Sequence, residues 1–190
     1  MRNILIISLF ILPIYVFSQD TFRRWNSFAD IDLVFPNTDK VKYSFSDTMK
    51  NNVTMTISDK VIYGINYSYN YSFFRKFSVG GITGFTLIAA PAIPVLKIGG
   101  VLRYTFIEEY KANIYMQLAG YIPLSNRADI DLGEWRLGFN LPISKGDKYN
   151  LTLGVYTSYV SYAIKKPLIY DEIPQLLEHR GVGVSVGVRF

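Results

Sequence analysis

The sequence has no cysteine, one histidine (His179) and few charges, which make up 18% of its 190 residues. Without cysteine there is no disulfide framework, thiol redox centre or thiolate metal site, and a single histidine cannot build a zinc site. Low charge together with 16% aromatic and 49% hydrophobic residues excludes a disordered chain. The formal charge of +5 is modest and the basic residues are scattered, so nucleic acid is not an expected partner. Glycines follow strand alternation rather than opening a helix, so no phosphate loop is present and no cofactor is expected. At this length one domain is the expectation.

Long hydrophobic runs are also scarce, and the one at the start reads as a signal peptide. Met1-Arg2-Asn3 is a short cationic start, and Ile4 to Phe17 is apolar except for Ser8, Pro13 and Tyr15. Val16 and Ser18 are small enough for a signal-peptidase site, so cleavage is expected after Ser18, and the apolar core is too short to span a membrane as a helix. With no cysteine at that point, lipoprotein anchoring is excluded. Between Lys76 and Lys97 the chain is uncharged, but Gly80, Gly81, Gly84, Pro91 and Pro94 argue against a helix.

What is present is alternation with a period of two. From residue 61 onward the chain repeats roughly ten to thirteen alternating residues and then a turn or loop, about the length of a tilted transmembrane strand. Ile65, Tyr67, Tyr69 and Tyr71 oppose Gly64, Asn66, Ser68 and Asn70, while Ile98, Leu102, Tyr104 and Phe106 oppose Lys97, Gly99, Arg103 and Thr105. Ala112, Ile114, Met116, Leu118 and Ile122 oppose Asn113, Tyr115, Gln117 and Tyr121. Trp135, Leu137, Phe139 and Leu141 oppose Glu134, Arg136, Gly138 and Asn140, and Leu151, Leu153 and Val155 oppose Asn150, Thr152 and Gly154. The last strand, His179–Phe190, alternates Val182, Val184, Val186, Val188 and Phe190 with Gly181, Gly183, Ser185, Gly187 and Arg189. Phe77–Ile88 is read as a strand followed by a Pro-containing loop, Ala89–Val95.

Short connections at Ser72–Lys76, Ile107–Tyr110 and Ser144–Lys148 alternate with longer ones at Ala89–Val95, Pro123–Ile130 and Ala163–Glu178. Short turns on one rim and longer loops on the other mark an up-and-down barrel. Seven strands are counted this way, and bacterial single-chain barrels have an even number, so the eighth is sought in residues 20–60. Phe28–Phe35 is preferred, with Ile31, Leu33 and Phe35 outward and Asp30 and Asp32 inward. Val41–Ser46 and Val53–Ser58 then form a hairpin in a long outer loop; the alternative makes Val41–Ser46 the first strand. The expected fold is all-β: an eight-stranded antiparallel up-and-down transmembrane β-barrel over 28–190, after a signal peptide (1–18) and a periplasmic segment (19–27).

A soluble carrier barrel would keep its apolar residues inside and cover the outside with Lys and Glu. Here the polar face is mostly Gly, Ser, Thr and Asn, so the apolar face is assigned to lipid, with strand-end aromatics such as Tyr69, Tyr104 and Phe106 as an interfacial girdle. Lys97, Arg103, Arg136 and Arg189 are therefore expected inside, where they should meet Glu134, Asp30 and Asp32. Turning such an arginine to lipid would cost about 2–4 kcal/mol near the midplane, and unpaired interior charge is expensive. Eight strands leave room for side chains only, so the expected interior is plugged.

Phe17-Ser18-Gln19, Arg75-Lys76-Phe77-Ser78-Val79-Gly80 and the closing Gly183-Val184-Ser185-Val186-Gly187-Val188-Arg189-Phe190 resemble small outer-membrane β-barrel proteins of Bacteroidetes-type bacteria. The resemblance covers most of 61–190 and leaves 20–60 poorly matched. It implies a place in the cell outer membrane, contact with outer-membrane lipid and lipopolysaccharide, and a C-terminal assembly signal. Phe190 would carry most of that signal, with Val188 and Val186, and the barrel assembly machinery would read it during biogenesis. Asp47-Thr48-Met49 is similar to an O-glycosylation acceptor motif of the same bacteria.

Catalytic signals are sparse. Ser185 shares a face with His179 but lies six residues along, roughly 20 Å away. Ser158 on another strand is the remaining nucleophile candidate, its register unknown from sequence. The acidic pairs Glu108/Glu109, Asp129/Asp131 and Asp171/Glu172 fall at turns, where solvated charge is ordinary. Ala163–Glu178 is unusually apolar for a loop, suggesting a cap or a partner-binding surface. The expected function is non-enzymatic: an integral barrel with a structural or interaction role through its outer loops, including an envelope protein partner. A lipid A or phospholipid hydrolase and a small-solute channel are the alternatives.

Overall fold

The computed structural model describes residues 24–37, 40–46, 52–58, 60–89, 92–107, 112–125, 133–146, 149–163 and 173–190. The signal segment, Asp47-Thr48-Met49 and the three acidic pairs lie outside them. Alternating β-branched and aromatic residues favour strands, and the elements are β1 (Trp25–Pro36), β2 (Lys40–Ser46), β3 (Asn52–Ser58), β4 (Ile62–Ser72), β5 (Phe77–Ala89), β6 (Ala92–Ile107), β7 (Ala112–Pro123), β8 (Gly133–Lys145), β9 (Asn150–Ala163) and β10 (Ile173–Arg189).

Order β1-β4-β5-β6-β7-β8-β9-β10 closes on itself through antiparallel β1–β10 pairing, giving an eight-stranded barrel. The seam runs from Phe28↔Arg189 to Pro36↔Gly181. Beyond it, Ser27 and Phe190 exchange backbone hydrogen bonds of 2.9 and 3.0 Å. The preferred first strand is thus the one that closes the barrel, with pairing starting at Trp25 rather than Phe28.

The faces are those expected of a barrel in lipid. Leu102 (45%), Leu137 (46%) and Val184 (36%) are exposed on the perimeter, whereas Lys97 (0%) and Arg136 (2%) are enclosed. A water-soluble carrier would show the reverse. At the short-turn rim aromatic rings pack together: Trp25 lies 4.9 Å from Tyr69 and 4.7 Å from Tyr71, and Phe77 lies 4.8 Å from Tyr104.

Two expected loops are corrected. Ala89–Val95 is not a loop: β5 and β6 pair up to Ala89↔Ala92, leaving residues 90–91 as the connection. Pro94 is tolerated inside β6 because its carbonyl, which takes the Leu124 N–H at 2.9 Å, faces the last residues of β7. Its missing N–H falls on that same side, where pairing ends. Nor is Ala163–Glu178 a loop throughout, since β10 begins at Ile173. Ile173–Glu178 pairs with Ser46–Lys42 of β2, and Leu177 is fully buried, which accounts for the apolar character of that stretch.

β2 therefore continues the line of β1 along β10, with the Asn37 N–H donating to the Arg180 carbonyl (3.0 Å) between them. The β2–β3 hairpin extends the β1–β4 hairpin past the long-loop rim.

Inside, large side chains sit across from glycines. Asp32 faces Gly64, and the Tyr156 ring lies against Gly183 in register with it. A methyl group at Gly183 would overlap that ring. Gly183→Ala is expected to cost about 1–3 kcal/mol by overpacking. The check is urea unfolding of protein refolded into lipid, followed by tryptophan fluorescence; an unchanged midpoint would contradict this packing.

Candidate functional site

The interior holds two stacked layers, and the lower one is polar. Arg136 on β8 reaches across to the Asp32 carboxylate on β1 and also bonds Glu134, two residues along its own strand. Glu134 takes the Lys97 ammonium at 3.0 Å, the Gln117 amide at 3.2 Å and the Ser158 hydroxyl at 3.2 Å. Asn66 donates to Asp32 (2.9 Å) and to Asp30 (2.8 Å). The Arg136 guanidinium lies 4.6 Å from the Tyr156 ring centroid, and the Lys97 ammonium 5.9 Å from that of Tyr121. Two buried cations thus face the Asp32 and Glu134 carboxylates, with Asp30 attached through Asn66, and such pairing is the condition for burying charge at all.

Of the residues expected to form this network, Lys97, Glu134, Arg136 and Asp32 are brought together, with Asp30 attached through Asn66. Arg103 is not. It lies nearer the short-turn rim, six residues along β6 from Lys97, and donates to the Ser68 hydroxyl (3.2 Å) and the Asn70 amide oxygen (3.5 Å). The rings of Phe28 (4.8 Å) and Tyr115 (5.2 Å) flank it. Arg189 stands at the foot of β10, opposite Phe28 and Asn150. Among the described residues neither arginine has an ion pair with a carboxylate. Their expected ion pairing with Glu134, Asp30 and Asp32 is corrected: strand register engages those acids higher in the barrel, and amides, hydroxyls and rings surround Arg103, with Asp30 attracting it only from a distance.

The upper layer is mainly apolar. Toward the long-loop rim stand Val34, Ile62, Ile88, Ile93, Val95, Val160 and Leu177, all buried, with Thr86 and His179 buried at the same level. Tyr43 of β2 joins this cluster with no exposed surface, and Phe45 packs partly against it. The β2–β3 hairpin therefore contributes to this upper layer. Sequence reasoning missed this layer because it assigned the whole inner face to small polar residues. The signal was there in adjacent apolar pairs at the outer strand ends, Ile62-Tyr63, Leu87-Ile88 and Tyr159-Val160, where alternation lapses.

His179 and Ser158 both face inward and line one shallow crevice near the rim, with Val34, Ile62 and Val160. In register, His179 stands opposite Val160 and Ser158 opposite Gly181, so the two lie diagonally across β9 and β10. The serine hydroxyl donates to Glu134. At the chain's other rim, Phe190 and Val186 are exposed on the perimeter and Val188 is half-buried.

No family model matches the chain, and no curated protein matches its sequence. Solved structures do. Outer membrane protein AlkL, determined by solid-state NMR in DMPC bilayers, is similar over 93% of this chain and 94% of its own, with TM-score 0.53 and 11% identity. The crystal structure of Neisserial surface protein A is similar over 88% of this chain and 96% of its own, with TM-score 0.50 and 13% identity. The chain therefore has the fold of the small outer-membrane β-barrels; the narrower Bacteroidetes-type resemblance gains no support from these neighbours.

Arg136→Met removes the group that Asp32 and Glu134 share, and is expected to cost about 3–5 kcal/mol. Adding Asp32→Asn should recover part of that loss, because a neutral amide tolerates the missing guanidinium. Chemical denaturation in lipid, run as a double-mutant cycle, measures both; additive losses would contradict the coupling.

Proposed function

We propose that the protein is an integral outer-membrane barrel that does not conduct, and that its role is structural or interactive, exercised through the hairpin it raises beyond the outer rim. The single observation that carries this reading is the filled lumen: an ion-paired layer beneath a mainly apolar one, the latter including Tyr43 from the hairpin itself. A conduit would need a continuous polar path, and the apolar layer interrupts it. Export through the segment 1–18, contact with lipid and lipopolysaccharide, and recognition of Phe190, Val188 and Val186 by the assembly machinery complete the proposal. The exposed Phe190 and Val186 support that last part, since a docking machine needs the stripe on the perimeter.

The crevice holding His179 and Ser158 favours one competing reading, a lipid A or phospholipid hydrolase. Against it, the serine proton is directed to Glu134, a carboxylate already engaged by Arg136 and Lys97. Both side chains also face the lumen rather than the acyl chains, whereas a general base must lie within reach of the nucleophile's proton.

Planar-bilayer conductance of the refolded protein, paired with mass analysis of lipid A with and without the gene, separates the readings. Silence and unchanged lipid are expected. A stable current would establish the channel, and an altered lipid that Ser158→Ala restores would establish the hydrolase. For assembly, Phe190→Ala is expected to slow insertion into vesicles carrying purified assembly machinery several-fold; an unchanged rate would remove the assembly role of that residue.

A further inference from the structure

β3 ends the sheet. It pairs with β2 from Lys40↔Ser58 to Ser46↔Asn52, and among the described residues its other edge meets no strand. The reason is geometric. β3 precedes β4 and stands above it, whereas the neighbouring β5–β6 ladder ends at Ala89↔Ala92, just past the Tyr63↔Leu87 level of β4. Edges that must stay alone are usually blunted by lysine, proline or a bulge. Asn52–Ser58 reads Asn-Val-Thr-Met-Thr-Ile-Ser, without charge, proline or glycine, and its ladder to β2 is unbroken.

The segment is also nearly its own mirror image about Met55. Threonines stand on either side of it, then Val53 and Ile57, then Asn52 and Ser58. We propose that β3 is a self-recognition edge, which pairs antiparallel with β3 of a second copy in a register centred on Met55. That register sets Thr54 opposite the second copy's Thr56, Val53 opposite Ile57 and Asn52 opposite Ser58, pairings of the kind that stabilise antiparallel ladders. Any other centre shortens the paired length. Because the same patch serves both copies, the contact is isologous and consumes both free edges, so assembly stops at the dimer instead of growing into a fibre. This inference rests on reading the outer hairpin as the interacting element, and it names that element's partner.

The absence of native cysteine makes the test direct. Full-length single-cysteine variants are refolded in lipid, checked for the heat-sensitive gel mobility of a folded barrel, and mildly oxidised. Met55→Cys faces itself across the two-fold axis, within the spacing a disulfide spans, and is expected to give a covalent dimer. Thr54→Cys and Thr56→Cys should cross-link when mixed far more than either does alone, and Ser44→Cys on β2 should stay monomeric. Sedimentation of the unsubstituted chain should show a dimer, and Met55→Lys, which sets like charges opposite each other, should show a monomer. A monomeric unsubstituted chain, or equal cross-linking at Ser44, overturns the self-pairing. Such a result in a barrel that remains electrically silent leaves the non-conducting reading standing, while a current overturns that reading without touching the dimer.

Discussion

Every strand edge left open in hydrocarbon carries N–H and C=O groups with nothing to bond, at several kcal/mol apiece. The β1–β10 ladder, continued by the paired Ser27 and Phe190, removes those edges within the barrel. Closure with eight strands then dictates the rest, because a ring of that size encloses a lumen only as wide as its side chains can fill. Large groups must find small ones opposite, as Asp32 finds Gly64 and Tyr156 finds Gly183. Among the described residues β3, beyond the long-loop rim, is the strand left with one whole edge unpaired.

The filling of that lumen explains why its charges are affordable. Arg136 and Lys97 are held by Asp32 and Glu134, so the layer is close to neutral, and it ties β1, β6 and β8 together across the ring. Above it, Ile88, Ile93, Val95 and Leu177 pack together toward the long-loop rim, and Tyr43 ties that cluster to the hairpin. The interior thus acts as a core turned inside a wall. What the protein offers to its surroundings is an apolar perimeter and the hairpin beyond the long-loop rim.

Much of this was readable in the sequence, because a strand's pleat converts period two directly into faces. The outward placement of Leu102, Leu137 and Val184, the enclosure of Lys97, Arg103 and Arg136, and the choice of the strand holding Ile31 and Asp32 all follow from alternation alone. Register between strands is a different matter: it depends on three-dimensional pairing that no single strand encodes. For that reason the partners of Arg103 were wrongly assigned, and the approach of His179 to Ser158 could not be foreseen. Pro94 was taken as a loop signal because only the position of β7's end shows that its missing donor costs nothing. Ile173–Glu178 looked like an apolar loop because its partner, β2, lies far away in the chain.

The claim on which the account stands is that hydrocarbon surrounds a closed ring with its charges inside. Nitroxide labels introduced one at a time at Leu102, Leu137, Val184, Ser158 and Ser185, in protein refolded into bilayers, test it through their collisions with oxygen and with a water-soluble nickel chelate. Labels at the first three positions are predicted to meet oxygen strongly and the chelate weakly, while those at the two serines meet neither. Chelate access at Leu137 and Val184, with the serine labels facing lipid, would contradict the account.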